Sequence, residues 1–92
     1  MTGKRARFAF NFVIKQIGEY TVMLPVGESS FSGIIRLNPP SAFLVEQLQT
    51  ACVGDAVTAY SRHFQLPDDK ALQDCCALLD ALRQGGIIRE LY

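Results

Sequence analysis

The sequence predicts an α+β domain of winged-helix-like form, with a three-stranded antiparallel β-meander followed by three α-helices. Three features carry the prediction. Apolar residues alternate with period two near the N-terminus. From Asn38 onward they recur at spacings of three and four. Pro67 and the Gly85–Gly86 pair then punctuate the helical half.

Phe8, Phe10, Phe12 and Ile14 alternate with Ala9, Asn11, Val13 and Lys15, which reads as one strand. Gly18 and Glu19 separate Ile17 from Tyr20, and glycine at the first central position suits a two-residue type II′ hairpin. That turn sets Lys15 opposite Val22, Ile14 opposite Met23 and Val13 opposite Leu24. Tyr20 to Leu24 form the return strand, which Pro25 ends because it has no N–H to donate. Val26 to Gly33 is a polar loop, and Ile34 to Leu37 form a third short strand.

Asn38 is a good helix N-cap, and Pro39 fits the first helical position. The first helix carries Ala42, Phe43, Leu44, Val45 and Leu48. The second has no obvious cap, with Thr50 or Asp55 as candidates, and shows Val57, Tyr60 and Phe64 on one face. Leu66–Pro67 breaks it. Asp68 and Asp69 then place negative charge where a helix dipole favours it. The third helix repeats Ala71, Cys75, Leu78 and Leu82, with Leu72 and Leu79 alongside, and Gly85 is its left-handed stop. Ile87 and Ile88 fold back on the core.

The chain has 92 residues, 49% of them hydrophobic, which suits a single domain over 1–92 with its own core. Residues 1–7, with Lys4, Arg5 and Arg7, read as a flexible solvated tail. The 9 basic and 9 acidic residues cancel to a net charge of zero, so no basic excess points to nucleic acid. No apolar run approaches the roughly 18 residues of a membrane span, and no signal peptide is visible. Cys52, Cys75 and Cys76 are an odd set without metal-ligand spacing, which suits buried thiols in a reducing cytoplasm. His63 is the one histidine and has no nucleophile nearby in sequence; it reads as a half-exposed helix residue. The aspartates are explained by capping and a solvated face. No catalytic, cofactor or metal constellation emerges, so function falls to a surface.

Two segments resemble a known family. Ile-x-Leu-Asn-x-x-x-Ala-Phe-Leu-x-x-Gln-Leu at Ile35 to Leu48 is similar to the PqqD family, named after coenzyme PQQ synthesis protein D. So are Asp-Cys-x-x-Leu-Leu-x-x-Leu-x-x-x-Gly-Ile-Ile at Asp74 to Ile88 and the hairpin from Phe12 to Pro25. The resemblance spans roughly residues 10 to 90. It departs from the family pattern at Ala51–Gly54, where a threonine-rich cap is usual, and at Pro67, where a polar cap is usual. What the resemblance implies is a non-catalytic, cofactor-free module that recognises the leader of a ribosomally made precursor peptide. The leader is added as a strand beside the third strand, next to the third helix, and is presented to a modifying enzyme, typically a radical SAM protein. The implied setting is cytoplasmic, with neither nucleic acid nor membrane as partner.

The residues implied as peptide-binding are Ser32, Gly33, Ile34, Ile35, Arg36 and Leu37 on the strand, with Asp74, Ala77, Leu78 and Ala81 on the helix. The third strand is an edge of the meander and carries no proline, so its backbone is available for pairing. About five backbone hydrogen bonds at about 0.5–1.5 kcal/mol each supply roughly 5 kcal/mol. Micromolar affinity needs about 8 kcal/mol, so pockets must supply the rest. On the helix, the flank of Asp74, Ala77 and Ala81 is favoured over that of Cys76 and Arg83, because small residues let a strand lie close. Leu78 is the floor. Arg36 either orients an acidic peptide residue or is solvated, and Phe31 is either a lid or ordinary packing. The free edge also leaves self-association into a homo-oligomer open. The alternative function is a winged-helix DNA-binding protein, in which the second and third helices form a helix-turn-helix. Against it, the connection Gln65–Asp68 lacks the usual glycine and the third helix begins acidic.

Overall fold

A computed structural model describes residues 3–26 and 34–92. The expected hairpin is its centre. Strand β2 (Phe12–Ile17) pairs antiparallel with β3 (Tyr20–Pro25), and Lys15 faces Val22, Ile14 faces Met23 and Val13 faces Leu24. Among the described turn residues Gly18 has φ 61° and Glu19 has no positive φ, as a type II′ turn requires. Strand β4 (Ile35–Leu37) adds to β3, giving the sheet order β2-β3-β4. Three helices follow: α1 (Pro39–Thr50), α2 (Val53–Phe64) and α3 (Asp68–Gln84). The α+β class, with a three-stranded antiparallel sheet followed by three helices, is therefore the one the sequence predicts.

The inner face of the sheet carries Phe12, Ile14, Met23, Ile35 and Leu37 and packs into the helical core with Leu44, Val45, Leu48, Ala56, Tyr60 and Leu79. The outer face is open: Val13, Ile17, Tyr20 and Ile34 are exposed large apolar residues there. Val22, in the middle strand, is buried even on that face. Its cross-strand neighbours are Lys15 and Arg36, whose aliphatic stems can cover it.

Several local expectations change. The run from Phe8 to Ile14 is not one strand. The chain bends at Ala9 and Phe10, and Ala6–Phe8 forms a separate strand, β1, that pairs with β5 (Ile88–Leu91). Alternation could not reveal this, because the rings on both sides of the bend meet the same core: Phe8 and Phe12 are edge to face at 4.9 Å. Residues 4–7 are accordingly no tail. Arg5 and Tyr92 exchange backbone hydrogen bonds of 2.7 and 2.8 Å, and Arg7 pairs with Glu90 at 2.9 Å.

The missing cap of α2 has the same origin. Its N-cap is Cys52, with no side-chain hydrogen bond, and not Thr50 or Asp55. The Lys4 carbonyl instead accepts the Val53 N–H at 2.7 Å. Gln65 takes the left-handed position after α2 (φ 55°), so that corner needs no glycine. In α3 the buried stripe is Ala71, Cys75, Leu79 and Leu82; Leu78 is only half-buried and Leu72 is exposed. Gly85 is right-handed, and Gly86 (φ 77°) makes the left-handed turn that returns Ile87 to the core.

Candidate functional site

Which backbone groups face the open edge of β4 follows from register. In the β2–β3 hairpin the residues that exchange hydrogen bonds include Ile17 and Tyr20, which close the two-residue turn. The Val26 N–H donates to the Asn11 carbonyl at 2.9 Å, which continues the same phase beyond the strand ends. Even-numbered residues of β3 therefore point their backbone groups at β2, and Thr21, Met23 and Pro25 point theirs at β4. Thr21 and Met23 face Leu37 and Ile35. So the groups of Ile35 and Leu37 are turned inward, and Arg36, opposite Val22, directs both its N–H and its C=O outward.

This corrects the expectation that every donor of the strand is available. Within β4 one residue in two faces the edge. Pro25 has no N–H on the side that faces β4, and the described β3–β4 ladder ends at Met23–Ile35. Pro25 does not end the ladder with β2, where it stands opposite Phe12. Among the described residues nothing pairs with the outer edge of β4.

The strand passes into α1 in one step. Asn38 is extended (φ −75°, ψ 165°), and its side chain accepts the Ser41 N–H at 2.8 Å. It is the N-cap the sequence predicts. A groove of about 450 Å³ opens at this junction. One wall is the start of α1, with Asn38, Pro40, Ser41 and Leu44; the other is α3, with Asp74, Ala77, Leu78 and Ala81. The space exists because β4 packs on β3 and α1, while α3 packs on α2 and β5. Edge strand and third helix flank the first turn of α1 without filling the gap between them.

At the groove wall, the Tyr60 hydroxyl donates to Asp74 Oδ2 at 2.8 Å, and Lys70 Nζ donates to Asp74 Oδ1 at 2.9 Å. Burial pushes the Tyr60 phenol up to about 12, helped by its hydrogen bond to Asp74. The bonds from Lys70 and then Tyr60 hold the Asp74 carboxyl below its ordinary value. Asp74 is thus a paired anion whose charge is already answered.

The ten residues implied by sequence separate as follows. Asp74, Ala77, Leu78 and Ala81 are brought together along one groove. Arg36 stands on the outer face, with its guanidinium carbon 3.9 Å from the Tyr20 ring centroid. Ile34 precedes β4 and is 62% exposed. Ile35 is half-buried and Leu37 buried, both turned to the core. Ser32, Gly33 and the loop residue Phe31 lie outside the described residues. Sequence reasoning missed Tyr60, Leu44 and Asn38 as groove residues. Tyr60 lies 14 residues from Asp74, and no local pattern links the two. His63 is exposed and lies away from this groove, stacked on Phe43 with centroids 4.4 Å apart.

A family model described as coenzyme PQQ synthesis protein D matches residues 20–88. The chain belongs to the PqqD family. No curated protein and no solved structure gives a match. The PqqD match begins at the first residue of β3 and ends at the first residue of β5. It takes in β4, the whole of α1 to α3 and every residue of the groove. It leaves out β1 and β2, so the N-terminal pairing that caps α2 lies outside the matched region. PqqD membership places the chain in an accessory-protein family of PQQ synthesis. No helix among the described residues is long and apolar enough to cross a membrane, and none of their His, Cys, Asp and Glu residues cluster as a metal site.

Proposed function

We propose that this protein is a non-catalytic capture module for the leader of a ribosomally synthesised precursor peptide. The leader joins the sheet as a strand beside β4 and sets side chains in the groove against α3. The module then presents it to a modifying enzyme, for which a radical SAM protein is the partner the family suggests. The observation that carries this reading is the outer edge of β4, unpaired among the described residues, followed at once by Asn38, which lines that groove. PqqD membership supports the setting.

Magnitudes decide which part holds the ligand. The two outward groups of Arg36 contribute about 0.5–1.5 kcal/mol each. A leucine-sized side chain fully buried in the groove contributes about 1.5–3 kcal/mol. Two such anchors outweigh the described backbone pairing, so the edge sets register and the groove supplies most of the affinity. The DNA-binding alternative fares worse: Asp68, Asp69 and Asp80 are exposed on α3 and would face phosphate.

The test is an amide chemical-shift titration with candidate leader peptides. Shifts at residues 34–37 and along Asp74–Ala81 are expected. Shifts confined to α1 and α2, with residues 34–37 silent, would refute strand addition.

A further inference from the structure

The edge of β4, unpaired among the described residues, has two chemically different sides. On the outer face, Arg36 is exposed and held over the Tyr20 ring. Among the described residues no carboxylate forms an ion pair with it, since the two ion pairs there are Arg7–Glu90 and Lys70–Asp74. On the inner side, the one charged residue of the groove is Asp74, and it is already engaged by Tyr60 and Lys70. Leu44 and Leu78 supply apolar wall, and Ala77 and Ala81 leave room.

We infer that the captured strand alternates in chemistry: a carboxylate side chain beside Arg36 on the outer face, flanked by apolar side chains directed into the groove. This rests on the strand-addition reading. Because Arg36 turns its backbone groups outward, the residue paired with it lies on the same face of the enlarged sheet. Its neighbours on either side point to the opposite face, towards the groove. The alternation holds whether the added strand runs parallel or antiparallel. Its phase is fixed by charge. A carboxylate on the outer face meets a cation with no ion-pair partner among the described residues, whereas one in the groove meets apolar walls and a carboxylate whose cation is already taken. The Tyr20 ring holds the guanidinium in place, which lowers the entropy lost when an acid engages it. A second copy of this chain does not fit the role, because its own β4 offers arginine at the matching position.

The experiment uses the full chain and designed, fluorescein-labelled peptides of about ten residues, a typical upper strand length. One alternates leucine with glutamate, one leucine with lysine and one leucine with serine. Anisotropy gives affinity and amide shifts report position. The glutamate peptide is expected to bind about fivefold tighter than the serine peptide and tighter still than the lysine peptide. Arg36→Gln should abolish the preference and Arg36→Glu should reverse it. Lys15→Gln should leave it within about twofold, because Lys15 lies two strand spacings further away. Equal binding of all three peptides, with shifts still at residues 34–37, would overturn the charge rule and leave strand addition standing. So would a preference that vanishes in Lys15→Gln and survives in Arg36→Gln. If no peptide shifts residues 34–37, strand addition itself fails and the rule falls with it.

Discussion

Proline at adjacent positions of β4 should have opposite consequences. Arg36 directs its N–H to the open edge, so Arg36→Pro removes no bond of the sheet. Ile35 directs its N–H at Met23, which is fully buried, so Ile35→Pro removes a ladder bond and strands a carbonyl. That loss costs about 1–3 kcal/mol. For a domain of this size each kcal/mol lowers the melting temperature by about 4–8 °C. Ile35→Pro should therefore melt at least about 4 °C lower, whereas Arg36→Pro should stay close to the parent. Binding reverses the order of interest. Arg36→Val is the reference, since it also lacks the charge but keeps the N–H. Against it, Arg36→Pro loses one ligand hydrogen bond, about 0.5–1.5 kcal/mol, and leaves a ligand carbonyl unpaired, so leader peptides should bind about tenfold more weakly. Thermal melts and peptide anisotropy on the three variants decide the matter. Equal binding by Arg36→Pro and Arg36→Val would show that no ligand pairs along this edge. Equal destabilisation by the two prolines would show that the assigned hydrogen-bond phase is wrong.

Other predictions follow from the groove and its supports. Ala77→Arg, on the exposed flank of α3, should change stability by no more than about 0.5 kcal/mol but weaken peptide binding by more than about tenfold, measured by melts and anisotropy together. Asn38→Ala should cost about 1 kcal/mol in urea unfolding, through loss of the Ser41 cap. The Asp74 carboxyl is held low in the folded state, so its contribution to stability is present above the unfolded value near 4 and is lost as pH falls through the lower folded value. Melting curves taken from about pH 5 downward should therefore fall less steeply for Asp74→Asn than for the parent. Burial, with the neighbouring Cys76, pushes the Cys75 thiol up to about 11, so native alkylation at mildly alkaline pH should spare Cys75 until the chain is unfolded, read by peptide mass.

What the sequence disclosed was local. The hairpin register needed only Gly18 and the apolar alternation around it, and the start of α1 needed only Asn38 and Pro39. The α3 flank of Asp74, Ala77 and Ala81 followed from helical spacing once the family pattern had singled out that helix. The misses were of two kinds. Leu78 and Leu79 are chemically identical and about 100° apart on the helix. Composition cannot say which one enters the core, and burial assigns that place to Leu79. The second kind is distant in sequence. Arg7 meets Glu90 across 83 positions, and the cap of α2 is a backbone carbonyl from Lys4. Backbone partners leave no trace in side-chain identity. The poor cap signal around Cys52 was therefore the visible sign of a tertiary hydrogen bond.

On the proposed reading, the edge and the groove act as one site because Asn38 belongs to both. It ends β4, caps α1 and lines the groove, so a strand laid against Arg36 has a fixed offset from Leu44 and Leu78. A longer connection would let strand and helix move independently and would spread the ligand over several registers. The proposed backbone pairing is short and gives little energy, and in that proposal its use is to set which ligand side chains reach the groove. Side-chain periodicity makes that choice strict: a slip of one residue exchanges the two faces, bringing an acid against Asp74 and an apolar group beside Arg36. Under the proposal, selectivity therefore resides in the phase of the ligand more than in the number of hydrogen bonds it makes.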